Sequence, residues 1–193
     1  MIINVNRQRR GTWKQSYFFL LLFLSAFTNI LAENLQTKKV HISFKYEKQF
    51  KLSSNQFAVW IENENNELIK NIFVTKFTAT NGYSTRKEAL PIWVKHSNIK
   101  NYSKERVDAI SGATPKSSHL SYIWDCTDQN GNPVPAGTYN FFIEGSTHWK
   151  DGILFEGTIT LGDHPYIVGP FIKDFTREAL NSKMITDVNA EIK

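Results

Sequence analysis

A short segment of small residues brings together groups that can take part in covalent chemistry. Asp108 supplies a carboxylate, Ser111 and Thr114 supply hydroxyls, and Gly112 and Ala113 lie between the two hydroxyls. A hydroxyl is the acceptor that a group-transfer reaction needs. The small residues before Thr114 allow the active site of a transferring enzyme to approach closely. The segment therefore offers acceptor hydroxyls, at Ser111 and Thr114, to an enzyme that transfers a group. Asp108 is a candidate recognition handle, or a ligand for a metal held by that enzyme.

A purely structural alternative explains the same residues as a turn. Ser and Asp side chains in loops commonly bond nearby backbone, and glycine supplies the positive φ that tight turns require. In this interpretation Asp108 and Ser111 stabilise the loop, and Gly112 occupies a left-handed position. Pro115 favours an extended backbone at Thr114 in either case.

The segment resembles the flavinylation motif of periplasmic FMN-carrying proteins, Asp-x-x-Ser/Thr-Gly-Ala-Thr. The resemblance implies that a dedicated flavin transferase joins the phosphate of FMN to Thr114 as a phosphoester. Downstream the chain departs from the motif, because Pro115, Lys116 and Ser117 follow where a second Thr or Ser is typical two residues after the acceptor. The matching residues are Asp108, Ser111, Gly112, Ala113 and Thr114.

Residues 1–32 are typical of a secretory signal peptide. A basic segment ends at Lys14, an apolar segment spans Tyr17 to Phe27, and Ala32 ends a plausible cleavage site. The formal net charge of +5 includes four cations and no acid before residue 33, so cleavage leaves about +1. The signal peptide predicts export, and we expect a location in the periplasm of a Gram-negative bacterium, with no membrane span after cleavage. The small charge of the mature chain predicts no nucleic-acid partner. An uncleaved anchor is the alternative.

Cys126 is the only cysteine, so an exported chain of this sequence has no internal disulfide. We expect Cys126 to be a small packed residue rather than a nucleophile. Asp125 and Asp128 are possible calcium ligands, but such residues more often bond turn backbone. No zinc cluster of usual spacing is present.

The remaining pattern predicts an all-β, immunoglobulin-like antiparallel β-sandwich over residues 33–163. A polar turn, Asn63 to Asn66, joins two of its strands as a hairpin. A mostly helical or loop insertion is predicted for residues 78–118, with one short helix over Leu90 to His96 and another capped by Ser103. The predicted strands are Val40 to Tyr46, Gln56 to Glu62, Glu67 to Phe77, His119 to Trp124, Thr138 to Glu144 and Ile153 to Leu161.

Residues 164–193 are predicted to form a C-terminal extension with an amphipathic helix over Asp174 to Lys193. Leu180, Met184, Val188 and Ile192 recur every four residues, which is typical of one helix face. Asp174 is the expected cap. We expect this helix to pack on the sandwich, with docking to a partner as the alternative.

Several ordered motifs resemble the bacterial predicted periplasmic proteins of domain of unknown function 2271. The segment from Trp124 to Tyr139 also resembles the immunoglobulin-like hairpin of the flagellar hook-capping protein, which bears on the fold and not on function. The family resemblance implies an association with flavin transferases and membrane-bound reductases. The segments that carry it are Phe57 to Asn63, Phe73 to Ala79, Leu90 to Lys95, Val107 to Ser117 and Trp124 to Tyr139.

Three functions follow as hypotheses. The first is a flavinylated electron-transfer protein with covalent FMN on Thr114 and a membrane-bound redox partner, in which the flavin carries the redox chemistry. The second is a non-catalytic binding or assembly module of the periplasm. The third is a hydrolase that uses Ser111 or Ser117 with a histidine, although no nucleophile elbow is present. Ordinary core packing is the more frequent role of a single aromatic residue, and it is the alternative to flavin contact for the aromatic candidates. The candidate flavin contacts are Tyr83, Trp93, Tyr102, Trp149, His96, His119 and His148.

Overall fold

Two sheets packed face to face form the protein in the computed structural model, which describes residues 38–49, 54–147 and 151–193. The predicted signal peptide, residues 1–32, lies outside the described residues. Within them, a three-stranded sheet has the order β5-β1-β9 and a six-stranded sheet has the order β4-β3-β2-β6-β7-β8. The strands are β1 Val40–Tyr46, β2 Gln56–Asn63, β3 Leu68–Thr75, β4 Ser111–Gly112, β5 Ser118–Trp124, β6 Gly137–Ser146, β7 Gly152–Leu161, β8 Tyr166–Phe175 and β9 Ile185–Ile192.

The core between the sheets is built by alternating side chains. In β1, alternate residues from Val40 to Tyr46 are fully buried, and the residues between them are half-buried. Phe57 of β2 packs between the aromatic rings of Phe44 and Phe73, at centroid distances of 5.6 and 5.1 Å. β1 therefore turns one apolar face to the core, whereas β2 is buried on both of its faces. The predicted antiparallel β-sandwich is confirmed.

A helical layer covers the outer face of the six-stranded sheet. It consists of a π-helical turn at Thr78–Gly82, a short turn at Tyr83–Thr85, helix α1 at Pro91–Ser97, a 3₁₀ turn at Ile99–Asn101 and helix α2 at Lys104–Ile110. Trp93 of α1 is fully buried in a second apolar cluster with Trp60 and Phe142 of the sheet. Pro91 begins α1 and the Ser103 side chain caps α2, as the sequence predicts.

The hairpin predicted around Asn63 to Asn66 is confirmed, because β2 and β3 pair in antiparallel fashion across that turn. The hairpin predicted for Trp124 to Tyr139 is wrong as a pair of neighbouring strands. β5 and β6 belong to different sheets, and only one isolated bridge, Thr127 to Pro133, closes the turn between them. The segment therefore connects the two sheets instead of extending one of them.

The amphipathic helix predicted for Asp174 to Lys193 is also wrong. Asp174 lies in β8, a short helix, α3, spans Arg177–Ser182 with Thr176 as its cap, and β9 follows. A spacing of four residues also fits a strand, in which alternate residues share one face. In β9 the intervening residues Thr186 and Ala190 lie on the half-buried side with Val188, so the true period is two. Pairing with β1 decides the outcome.

The C-terminal residues complete both sheets. β8 pairs with β7 at the edge of the six-stranded sheet, and β9 pairs with β1. β1 therefore has β5 on one side and β9 on the other. Residues 164–193 belong to the sandwich and are not a separate extension of it, which corrects the predicted boundary at residue 163.

Candidate functional site

The predicted motif lies where the chain passes from the helical layer to the edge of one sheet and then to the other sheet. Ser111 and Gly112 form β4, which pairs in parallel with Val74 and Thr75 at the end of β3. The chain then leaves the edge, and β5 begins at Ser118 in the three-stranded sheet. Residues 113–117 are called the crossover below. Such connecting segments run over the surface, where another protein can reach them.

The five motif residues lie on one continuous stretch of this edge. Asp108 is exposed in the last turn of α2, and Ala113 is exposed at the start of the crossover. Ser111, Gly112 and Thr114 are half-buried. Ile110, which is buried in the cluster beneath α1, anchors the stretch from the helical side. The motif is therefore accessible from solvent and attached to the fold at both ends.

Gly112 is required because a larger side chain would collide with the core, and not because of a turn. It lies in extended β4, not at a positive φ. A Cβ atom at this position would lie 2.7 Å from Cε2 of Phe73, a distance that side chains do not tolerate. The Phe73 ring packs between Phe57 and Tyr122 in the core. The prediction of a left-handed glycine turn is wrong, and close packing against Phe73 explains the glycine.

The Thr114 hydroxyl is weakly engaged. It donates a hydrogen bond of 3.4 Å to the carbonyl oxygen of Asn55, well beyond the usual O–H···O distance of about 2.7–2.8 Å. Within the described residues, neither the Asp108 carboxylate nor the Ser111 hydroxyl has a hydrogen-bond partner. The local side-chain bonds that the turn hypothesis expects are absent there.

A network of amides and hydroxyls supports the segment behind Thr114. The Asn55 side chain accepts a 2.9 Å bond from Gln49 N and donates a 3.0 Å bond to Gln49 O. Gln56 donates from Nε2 to Asn55 O at 2.8 Å and accepts bonds from the hydroxyls of Thr75 and Thr78. These polar groups are buried and paired, so they hold the Asn55 carbonyl in place.

The family model described as "Predicted periplasmic protein (DUF2271)" matches residues 37–167, which contain the motif and the strands from β1 to β7. The chain belongs to the DUF2271 family. The family description agrees with the periplasmic location predicted from the sequence. No curated protein and no solved structure matches the chain. Among the residues that the structure describes, no helix has the length and apolar character needed to cross a membrane.

Two of the aromatic residues considered as flavin contacts have other roles in this DUF2271 protein. Trp93 is fully buried, and its Nε1 donates a 2.7 Å bond to Asn71 Oδ1. The Tyr102 hydroxyl accepts a 2.9 Å bond from Asn71 Nδ2, and Arg106 stacks over the Tyr102 ring at 3.9 Å. Tyr83 lines a surface cavity of about 500 Å³. Trp149 and His148 lie outside the described residues.

A buried carboxylate–histidine pair is the most unusual polar contact that the sequence did not predict. Glu62 is fully buried, and its Oε1 accepts 2.6 Å bonds from Trp60 Nε1 and from His96 Nδ1. Its Oε2 has no partner among the described residues. The His96 side chain is 26% exposed, so one imidazole edge is still accessible. Trp60 and Glu62 are two residues apart in a strand, so their side chains lie on the same face. This spacing was the signal in the sequence from which their contact could have been predicted.

Glu144 is a second buried carboxylate, placed beneath the first turn of α1. Its two oxygens accept hydrogen bonds from the backbone N–H groups of Ile92, at 3.1 Å, and of Trp93, at 2.7 Å. Burial raises the pKa of the Glu144 carboxyl to about 7, although these two bonds favour the charged form and lower it. The carboxylate also lines a cavity of about 300 Å³. Its primary role is to hold the helical layer on the sheet.

The hydrolase hypothesis gains no support from the geometry. Ser111 lies in β4, and the Ser117 hydroxyl accepts a bond from Lys48 N. No serine–histidine hydrogen bond occurs within residues 38–49, 54–147 and 151–193. His96, the one described histidine whose ring has a side-chain partner, is paired with Glu62.

The turn acids and the cysteine behave as predicted. Asp125 accepts bonds from Thr127, and Asp128 accepts bonds from the backbone of Asn130 and Asn132. The described part of the chain contains no cluster of three or more His, Cys, Asp or Glu side chains suited to a metal. Cys126 is buried, and that burial raises the pKa of its thiol to about 11, which favours the protonated form at neutral pH.

Proposed function

We propose that this DUF2271 protein is a periplasmic electron carrier with FMN attached through its phosphate to the hydroxyl of Thr114. The observation that carries the proposal is the state of that hydroxyl. It lies on a surface crossover, it follows the sequence Ser-Gly-Ala, and its hydrogen bond to Asn55, the one it makes among the described residues, is long. Attachment therefore breaks little existing structure.

Access for a flavin transferase is supported by the placement of the motif. The exposed Asp108 carboxylate on α2 and the exposed Ala113 lie on either side of β4. A transferase can contact both without opening the core between the sheets. Asp108, which has no partner of its own among the described residues, then binds the transferase or its metal.

The transfer itself needs an activated flavin donor, because a phosphate monoester has no good leaving group. A flavin dinucleotide meets this requirement. The Thr114 oxygen forms a bond to the phosphorus atom on the flavin side, the pyrophosphate P–O bond breaks, and adenosine monophosphate leaves. The hydroxyl proton passes to a base of the transferase or to water. This chain contributes the acceptor oxygen and the small residues around it, and the transferase contributes the catalysis.

Once attached, the flavin supplies reversible electron transfer, and the protein holds it and sets its potential. A membrane-bound redox partner on one side and a second acceptor on the other complete the electron path. The sandwich provides a rigid base for this role, since the crossover is joined to both sheets.

Intact mass of the protein co-expressed with a flavin transferase tests the proposal. We expect the wild type to gain the mass of one FMN less one water and to be yellow. Thr114→Ser retains a hydroxyl and should gain the same mass, whereas Thr114→Ala should gain none. Ser117→Ala, which removes a hydroxyl three residues away in the same crossover, is the matched control and should be modified. Unmodified wild type, in cells shown to flavinylate another protein, would exclude the proposal.

A second candidate function is a binding module, favoured by the apolar surface of β8. This edge strand exposes Phe171, Tyr166 and Phe175 to 63%, 56% and 51%. Exposed apolar groups on an unpaired edge are typical of a protein interaction surface. If binding is the main role, Phe171→Asp abolishes association with a partner while Thr114→Ala leaves it unchanged. Loss of electron transfer in Thr114→Ala with association intact would instead favour the carrier.

A further inference from the structure

A cleft opens directly beside the crossover, at the end of β1 and the start of β5. Its volume is about 470 Å³, within the range of small-molecule sites. Lys45 and His119 are partners in the β1–β5 register, so both side chains lie on the outer face of the three-stranded sheet. Lys48, Gln49 and Ser117 form the wall towards the crossover.

Two hydrogen-bonded connections join this cleft to the Thr114 segment. The backbone N–H of Lys48 donates a 2.9 Å bond to the Ser117 hydroxyl. Gln49 is bound to the Asn55 side chain, and the Asn55 carbonyl accepts the bond from Thr114. Ser117 lies three residues after Thr114, a distance of at most about 11 Å along the backbone. A group attached to Thr114 by a flexible ribityl chain therefore reaches the cleft.

The charge of the cleft suits an anion. Lys45 is paired with Glu47 at 2.6 Å. Lys48 is exposed, and no carboxylate of the described residues forms an ion pair with it. One lysine is therefore available for a ligand. A cation near a flavin stabilises the negative charge of the reduced ring and so raises its reduction potential.

We propose that the flavin ring of FMN on Thr114 lies in this cleft, with Lys48 as the cation that raises its potential. This inference rests on the proposed function, because it requires FMN at Thr114. In this inference Lys48 is a positioning residue for the flavin. The ligand of the cleft is the isoalloxazine ring with its ribityl phosphate.

Two further cavities among the described residues are less suitable for a ring attached to Thr114. The cavity of about 300 Å³ contains the Glu144 carboxylate with Asp151 and Asp174, and these acids oppose the negative charge of a reduced flavin. The cavity of about 500 Å³ is bordered by Lys87, Lys95 and Lys100, so its charge also suits an anion, and its distance from the Thr114 segment argues against it. Both cavities are bordered by α1, which belongs to the helical layer on the outer face of the six-stranded sheet. Among the described residues, no hydrogen bond joins either cavity to Thr114.

The test compares flavinylated wild type with Lys48→Glu, Lys48→Arg and Lys95→Glu. Lys95→Glu makes the same charge reversal on another exposed lysine, beside a cavity that is not joined to Thr114. Intact mass first establishes whether FMN is attached, and a spectroelectrochemical titration then gives the midpoint potential. We expect Lys48→Glu to lower the equilibrium constant for two-electron reduction by roughly tenfold, about 30 mV. Lys48→Arg and Lys95→Glu should stay close to the wild type.

The outcomes separate this inference from the proposal on which it rests. FMN present on all variants, with Lys48→Glu and Lys95→Glu equal in potential, overturns the placement of the ring and leaves attachment at Thr114 intact. Acrylamide quenching of flavin fluorescence provides an independent readout, since a ring in the cleft is quenched less than free FMN. Quenching equal to that of free FMN overturns the placement as well. Absence of FMN from the wild type overturns both proposals.

Discussion

The backbone N–H of Trp93 donates a 2.7 Å hydrogen bond to the carboxylate of Glu144, joining the first turn of α1 to the strand β6. Because Glu144 is buried, the helical layer is held on the sheet by a group that can change its charge near neutral pH. Burial raises the pKa of this carboxyl to about 7 in the folded protein, from 4.5 for a glutamate in water.

Stability should therefore fall as the pH rises between these two values. In that window the folded chain keeps a proton on Glu144 that the unfolded chain has lost, so the stabilisation is complete below about pH 4.5 and is lost above about pH 7. The shift corresponds to a loss on the order of 3 kcal/mol. Urea titrations at pH 5 and pH 8 measure it, with Glu144→Gln as the comparison. Equal pH dependence in the two proteins would contradict this assignment.

Replacing Gly112 with alanine should destabilise the protein through contact with the core. The new Cβ would lie 2.7 Å from the Phe73 ring, so either the ring or β4 must move, at a cost of about 1–3 kcal/mol. Gly152→Ala is the matched control, because a Cβ there meets nothing within 4 Å. Chemical denaturation of both variants checks this. A Gly112→Ala protein as stable as Gly152→Ala would show that β4 or the Phe73 ring adapts without cost, contrary to this prediction.

A charge on the inner face of β9 should unfold the C-terminal part of the three-stranded sheet. Val188 packs against the core, whereas its neighbour Asn189 is exposed. We expect Val188→Asp to lower the unfolding free energy by about 3 kcal/mol and Asn189→Asp to change it by less than about 0.5 kcal/mol. Thermal and urea unfolding give both values. Equal losses of stability in the two variants would contradict the alternation of half-buried and exposed residues in β9.

Loss of the histidine that pairs with Glu62 should also be costly. His96→Ala leaves the buried carboxylate with Trp60 as its one remaining donor among the described residues, at an expected cost of about 2–3 kcal/mol. His164→Ala, at an exposed loop position, should be nearly neutral. Adding Glu62→Gln to His96→Ala should recover part of the loss, because the unpaired charge is then absent. A double variant no more stable than His96→Ala would argue against this account.

Local patterns in the sequence were sufficient to predict several strands, one hairpin and the starts of two helices. Alternating side chains predicted β1 and β5, and a polar turn predicted the β2–β3 hairpin. Pro91 and Ser103 marked the starts of α1 and α2. Each of these signals depends on residues close together in the chain, where backbone geometry and capping act directly.

The errors arose where distant partners decide the structure. Val188 and Ile192 fit both a helix and a strand, and pairing with β1, nearly 150 residues earlier, selected the strand. The segment from Trp124 to Tyr139 had the residues of a hairpin, yet its strands joined different sheets. Local spacing cannot distinguish these cases, since long-range pairing supplies most of the stabilising contacts.

The sequence by itself determined the membership of the DUF2271 family, the β-sandwich class and the candidate acceptor Thr114. Only the tertiary structure decided how that residue is presented. It packed Gly112 against Phe73, paired β4 with β3 at a sheet edge, and brought Asn55 to the Thr114 hydroxyl from 59 positions away. The physical reason is that the identity of a residue fixes its chemistry, whereas its exposure, partners and neighbouring charge come from packing between segments that are remote in sequence.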